Sequence, residues 1–184
     1  MPEILDIGRD DSVSEYLNNV KWVCICVLLL LVYWQGRLPT ALSFAFVFAL
    51  VSADDIFHLH ETGGEWLVDL LGIESTLGLW GQDFGELLVW AGLGVVAVSA
   101  IALGYLAADP KGRRLGNVLL AFLGALVLCA VVVDMVHSAF SASYWPNLIF
   151  EVLEDGGEMV VGSTLLARCL ALLQPLGRAA TLPR

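Results

Sequence analysis

Residues 115–140 read LGNVLLAFLGALVLCAVVVDMVHSAF, and this stretch decides the fold class. It carries no charged residue before Asp134, and its apolar run approaches the ~20 residues that a membrane-spanning helix needs. The sequence therefore predicts a transmembrane helix that ends in two ionisable residues, Asp134 and His137.

Four further apolar stretches of comparable length lie on either side of this one. Together the five predicted spanning helices cover residues 19–34, 39–60, 85–107, 115–140 and 148–173. The short connectors around Gly36 and Pro110 contain helix breakers, so the helices that they join are expected to be antiparallel. The predicted fold is all-α, a polytopic transmembrane helical bundle that forms a single domain over residues 1–184.

The composition supports a membrane protein. The chain is 58% apolar and 15% charged, with a mean hydropathy of +0.79, whereas a soluble domain is about half apolar and about a quarter charged. The predicted environment is the lipid bilayer. The net charge is −10, with nine Lys and Arg residues, and phosphate binding needs a basic patch, so nucleic acid is excluded as a partner.

The basic residues are divided unequally between the two ends of the predicted bundle. Arg9 and Lys21 fall at the end that also holds most of the acids. The others fall at the opposite end: Arg37, Lys111, Arg113, Arg114, Arg168, Arg178 and Arg184. Short cytoplasmic loops carry the excess of Lys and Arg. We therefore expect a cytoplasmic C-terminus and an outside N-terminus, in a bacterial inner membrane with the acidic end facing the periplasm.

Three segments lie outside the predicted spans. Residues 12–20 place apolar side chains at helical spacing and predict a short amphipathic helix on the outer interface. Residues 62–84 are too acidic and too short to span and return, and they predict an interfacial lid. Residues 174–184 are expected to form a cytoplasmic tail.

Ionisable side chains inside spanning helices are costly unless they are paired, hydrated or bound to a metal, so they indicate a functional site. An up-and-down topology brings those of four predicted helices to the same outer end of the bundle. The predicted metal ligands are Asp54, His58, Glu61, Glu86, Asp134, His137, Glu154 and Glu158. Other acids, among them Asp55 and Asp69, are expected to be solvated surface charges.

The spacing of these residues indicates which kind of site they form. Asp54, His58 and Glu61 share one face of an ideal helix, and Asp134 and His137 form a carboxylate-x-x-His pair. Carboxylate-bridged dimetal bundles use the same chemistry. The predicted cofactor is one or two divalent ions, with iron, manganese, zinc and copper left open. His60 points elsewhere on an ideal helix and is expected to support the ligands rather than to bind.

Three functions remain open at this stage. A metal-dependent oxidoreductase acting on a membrane-soluble substrate is the first. The second is an accessory or structural subunit, with a membrane-protein partner or a second copy of the chain bound to it. The third, a proton or cation transport component, needs a polar path through the bundle, and inner halves of predicted helices such as residues 41–50 and 95–103 carry only serine as a polar residue.

Two short segments carry a resemblance. DDIFHLHE at residues 54–61 and LEDGGEM at residues 153–159 resemble motifs of small bacterial polytopic membrane proteins whose activity is uncharacterised. By position, the resemblance marks Asp54, Asp55, His60, Glu61, Glu154, Asp155 and Glu158, with Asp55 and Asp155 standing where Glu is more usual. It implies that the acids of the second and fifth helices belong to one site, and it implies no particular activity.

Overall fold

The computed structural model describes residues 13–76, 79–140 and 144–180. These residues form seven α-helices and a π-helical segment: α1 (Val13–Gly36), α2 (Pro39–Phe57), α3 (Leu59–Leu71), α4 (Gly81–Leu106), α5 (Pro110–Val127), the π-helical segment (Leu128–Val133), α6 (Asp134–Phe140) and α7 (Tyr144–Ala180). The only β-pairing among them is one isolated bridge between Thr76 and Leu79.

Within the described residues, five helical stretches are long and apolar enough to cross a membrane, in agreement with the predicted number. They are Val13–Gly36, Pro39–Phe57, Gly81–Leu106, Pro110–His137 and Val152–Leu173. The fold is all-α, and its helices are those of a multi-pass membrane protein.

The two terminal segments differ from the prediction. The interfacial helix expected at residues 12–20 is not a separate element, because α1 continues without a break from Val13 to Gly36; residue 12 lies outside the described part. No glycine or proline separates the amphipathic turns from the apolar span, so nothing stops the helix there. The tail expected at residues 174–184 is helical as far as Ala180, where α7 ends.

The second predicted span and the lid also differ. The span expected at residues 39–60 ends at Phe57, and a new helix, α3, starts two residues later. The lid expected at residues 62–84 is helical up to Leu71 and again from Gly81, where α4 begins; residues 77–78 lie outside the described part. Helix α3 packs against the start of α4.

A contact between two glycines lets α3 and α4 approach closely. A Cβ atom on Gly85 would overlap the backbone carbonyl of Gly64, and a Cβ on Gly64 would lie 2.8 Å from the backbone nitrogen of Glu86. Since these neighbours are backbone atoms, a side chain at either position forces the helices apart.

We therefore expect Gly85→Ala to lower the free energy of unfolding by about 1–3 kcal/mol, the usual cost of overpacking. Titration with SDS in mixed micelles measures this quantity. Gly92→Ala, on the same helix with no atom within 4 Å of its added Cβ, is the matched control and is expected to leave stability unchanged or slightly raised. Equal stability of the two variants would contradict the close approach.

The core lies between α1, α2 and α7. Trp22 and Leu29 of α1, Phe44 and Phe48 of α2, and Leu165 of α7 are completely buried. The Trp22 and Phe48 rings stack with centroids 6.0 Å apart. This packing fixes the acid-bearing end of α2 against its neighbours.

The last turns before Asp134 are π-helical. A π-helical turn changes the direction of the side chains that follow it, and such turns are frequent at functional sites. Cys129 within this segment lies against Gly157 of α7, where an added Cβ would be 2.6 Å from the Cys129 Sγ. The segment therefore sets the position of Asp134 relative to α7.

Candidate functional site

A cavity of about 600 Å³ is lined by residues from each of the seven α-helices and from the π-helical segment. Its polar end, which we call the acidic mouth, is lined by Asp54, Asp55, His60, Glu61, Glu86, Asp134, Glu154 and Glu158. Six of the eight predicted ligands are therefore in the lining of one cavity. The two exceptions are His58 and His137, and both contact a carboxylate that lines it.

The break between α2 and α3 brings His60 into the mouth. His58 adopts a left-handed conformation, with φ 48° and ψ 46°, and this conformation is uncommon for a residue other than glycine. In a continuous helix the His60 N–H would donate to the carbonyl four residues earlier. Here it donates to Asp54 Oδ1 at 3.0 Å, and His60 Nδ1 donates to Asp54 Oδ2 at 2.9 Å.

The predicted shared face of Asp54, His58 and Glu61 is therefore wrong. Asp54, which is 1% exposed, pairs with His60, while His58 Nδ1 donates to Glu61 Oε1 at 2.9 Å. An unbroken helix would point His60 away from Asp54, so helical spacing predicts only a supporting role for it. The sequence feature that could have indicated the break is Asp54, because an aspartate side chain can accept a backbone N–H in place of a helical carbonyl. Here it accepts the His60 N–H.

A second histidine–carboxylate pair joins α6 to α7. His137 Nδ1 donates to Glu154 Oε2 at 3.0 Å, and the His137 ring stacks on Phe150. The charge of Glu154 also faces Asp134 and Glu158, both of which line the acidic mouth. This pair therefore fixes one carboxylate of a larger group.

Gln82, which helical spacing did not mark as a site residue, connects α3 to Glu86 of α4 at the acidic mouth. Its Nε2 donates to Glu86 Oε1 at 2.8 Å and to the Glu61 backbone carbonyl at 2.9 Å. The His60 ring lies 5.4 Å from the ring of Trp90 on the same helix as Glu86. Gln82 and Glu86 stand four residues apart, which is the spacing of side chains that meet on a helix.

Asp55 is a second correction. It was expected to be a solvated surface acid, yet it lines the acidic mouth beside the indole of Trp22, with the charge of Asp54 close by. Asp69 is exposed on α3, as expected. The resemblance had marked Asp55.

The electrostatic surroundings of His60 favour its protonated form. Burial lowers the pKa of His60, but the hydrogen bond to Asp54 and the charges of Asp54, Glu86 and Glu61 outweigh burial, so the pKa is raised above its usual 6.5. A histidine held between several carboxylates retains its proton more tightly.

The acidic mouth does not present a ready-made metal site. In the part of the chain that the structure describes, no three His, Cys, Asp or Glu side chains are close enough together to hold an ion. His60 Nε2, the ring nitrogen that does not bind Asp54, lies 3.8 Å from Glu61 Oε1. The other carboxylates of the acidic mouth line the same cavity.

Comparison with known proteins identifies a family. Residues 12–173 match a family described as a domain of unknown function (DUF8692). No curated protein and no solved structure matches the chain.

Proposed function

The chain belongs to the DUF8692 family, and we propose from the geometry of its site that it is a membrane protein that binds a divalent metal ion at the acidic mouth. The observation that carries this proposal is the Asp54–His60 pair in a cavity lined by seven carboxylates. Histidines that bind metals commonly donate their other ring N–H to a carboxylate, which fixes the orientation of the ring. Asp54 supplies such a carboxylate, and His60 Nε2 then faces Glu61.

Binding requires a modest rearrangement. Two donors on one ion with bonds of about 2 Å lie about 3–3.5 Å apart, and the donor atoms of His60 and Glu61 are 3.8 Å apart. The Glu61 side chain is half exposed, so its rotation breaks the hydrogen bond to His58 but disturbs little packing. Glu86, Asp134 or Glu158 would supply the remaining oxygens. Mixed imidazole and carboxylate ligation suits iron, manganese, zinc or copper.

Elemental analysis of the full chain, purified in mild detergent without chelator, tests the proposal. We expect one or two ions per chain in the parent, and loss of at least about tenfold in a His60→Gln, Asp134→Asn double variant. Asp69→Asn removes an exposed acid from α3 and is expected to keep the parent's metal content. A metal-free parent, or a double variant with the parent's metal content, would refute metal binding.

The proposed orientation puts the acidic mouth outside and the Lys111 end in the cytoplasm, and the excess of Lys and Arg at that end supports it. Single cysteines introduced as Glu74→Cys or Lys111→Cys in a background without the native cysteines test it. In cells with a permeabilised outer membrane and an intact inner membrane, we expect an impermeant maleimide to label position 74. Position 111 should be labelled only after the inner membrane is permeabilised as well. The reverse pattern would invert the topology.

A transport role receives less support. Beyond the mouth, the lining of the cavity is apolar as far as Ile101 and Leu120, and a hydrated cation needs polar groups along its path. An ion bound at the mouth would instead face an apolar cavity, which is the arrangement that chemistry on a membrane-soluble molecule needs. Oxidoreductase chemistry on such a molecule therefore remains our proposal for the class of reaction.

A further inference from the structure

The cavity behind the acidic mouth is large enough to bind a small organic molecule. Its volume of about 600 Å³ falls within the ~300–1,000 Å³ of pockets that bind small organic molecules. The deep wall is made of aliphatic side chains from three helices: Val47, Leu50, Ala97, Ile101, Leu120 and Leu123. Such a wall is complementary to an apolar body and gives it no hydrogen-bonding partner.

The charge at the entrance is predominantly negative, because the carboxylates outnumber the single histidine, His60. Seven carboxylates line the acidic mouth, and no Lys or Arg is among the described residues that line the cavity. Lys21 is near Glu158, but it donates to the Met159 carbonyl and does not line the cavity. In a medium of low dielectric constant this arrangement strongly attracts a cation and repels an anion.

Aromatic rings lie where the charged and apolar parts of the wall meet. Trp22 and Trp90 both line the cavity, and the ring of Trp90 is beside His60 at the edge of the mouth. A tryptophan face attracts an organic cation electrostatically. The partly exposed indole of Trp90 thus suits the junction between a cationic head and an apolar body, and the completely buried Trp22 supports the wall behind it.

We propose that the cavity binds a membrane-soluble organic cation, with its apolar body against the deep aliphatic wall and its positive charge at the acidic mouth. Like the proposed function, this inference places positive charge at the acidic mouth, but it does not require a bound metal ion. It adds the class of small molecule that the site takes. Anionic lipids are excluded by the charge at the mouth, and a neutral apolar molecule is distinguished by the experiment.

The test uses two probes of nearly the same shape and opposite charge, tetraphenylphosphonium and tetraphenylborate. Binding to the full chain in a neutral detergent is measured by equilibrium dialysis. We expect the phosphonium to bind at least about a hundredfold more tightly than the borate. Equal affinities would overturn the charge selection and indicate a cavity for neutral apolar molecules.

Two glycines of α4 give a matched pair of variants. Gly94 lines the cavity and has no atom within 4 Å of an added Cβ, so Gly94→Phe fills the cavity without a backbone clash. Gly92 also faces open space, but it is not among the lining residues. We expect Gly94→Phe to weaken phosphonium binding about a hundredfold and Gly92→Phe to leave it unchanged.

Unchanged binding in Gly94→Phe would overturn the proposal, since the probe would then sit outside the cavity. If Gly94→Phe does not fold, Ala97→Leu narrows the same cavity by a smaller amount and is expected to weaken binding at least about tenfold. The metal content of Gly94→Phe separates the two proposals. Loss of phosphonium binding with metal retained supports both, and a metal-free parent with cavity-dependent phosphonium binding overturns only metal binding.

Discussion

Replacing Asp54 with alanine is expected to destabilise the fold by about 3 kcal/mol. Asp54 is 1% exposed, and its two carboxylate oxygens accept from the backbone and the ring of His60 at 3.0 and 2.9 Å. Alanine leaves both donors without their acceptor and removes the contact that holds α3 over the end of α2. Titration with SDS in mixed micelles measures the change in the free energy of unfolding.

Two companion variants separate the causes. Asp54→Asn keeps an oxygen that can accept from one of the His60 donors but loses the charge, so we expect an intermediate loss of stability. Glu61→Ala removes a carboxylate that is half exposed and contacts His58, and solvated pairs of this kind contribute about 1 kcal/mol or less. If Asp54→Ala were no less stable than Glu61→Ala, the hydrogen bonds of Asp54 would not stabilise the junction between α2 and α3.

The same contact gives stability a defined pH dependence. The pKa of His60 is raised above its usual 6.5 in the folded state, so the folded protein holds this proton more tightly than the unfolded chain. The resulting stability is fully present below pH 6.5 and is lost as the pH rises through the raised pKa. The free energy of unfolding should decrease over this pH range in the parent and in Glu61→Ala. The decrease should be absent in His60→Gln and in Asp54→Ala.

The bundle itself could be predicted because long apolar runs have few alternatives in a membrane. The 115–140 stretch and its four companions correspond to the five spans, with shifts of a few residues at their ends. The interfacial segments were harder, because nothing in the sequence fixes whether an amphipathic turn stays separate. Helix α1 continues through the amphipathic turns because no helix breaker follows Val13. Helix α3 remains a separate element because it packs against α4.

The sequence predicted where the candidate site lies in the bundle, but not which of its side chains pair with each other. The topology brings the acids of four helices to one end, and this placed six of the predicted residues in one cavity lining. Which histidine meets which acid depended on the left-handed conformation of His58. The segment DDIFHLHE contains neither glycine nor proline, so its break follows from a side-chain hydrogen bond that helical periodicity does not describe.

Trp22→Ala is expected to lower the free energy of unfolding by about 3–5 kcal/mol, at least as much as Asp54→Ala does. Trp22 is completely buried, stacks on Phe48 and lies against Gly162 of α7. It is therefore in contact with both helices that pack on α1. The loss of these van der Waals contacts does not depend on whether the solvent is water or lipid, because a void offers no partner atoms in either.

Trp34→Ala is the matched control, since Trp34 stands on the same helix and is 72% exposed. Its removal is expected to change the free energy of unfolding in detergent by about 0.5 kcal/mol or less. Trp22 also lines the cavity beside Asp55, so Trp22→Phe, which keeps an aromatic face and most of the packing, should retain more phosphonium binding than Trp22→Ala. A Trp22→Ala protein as stable as Trp34→Ala would mean that α1 does not order the core, and the position of the acidic mouth would then need another explanation.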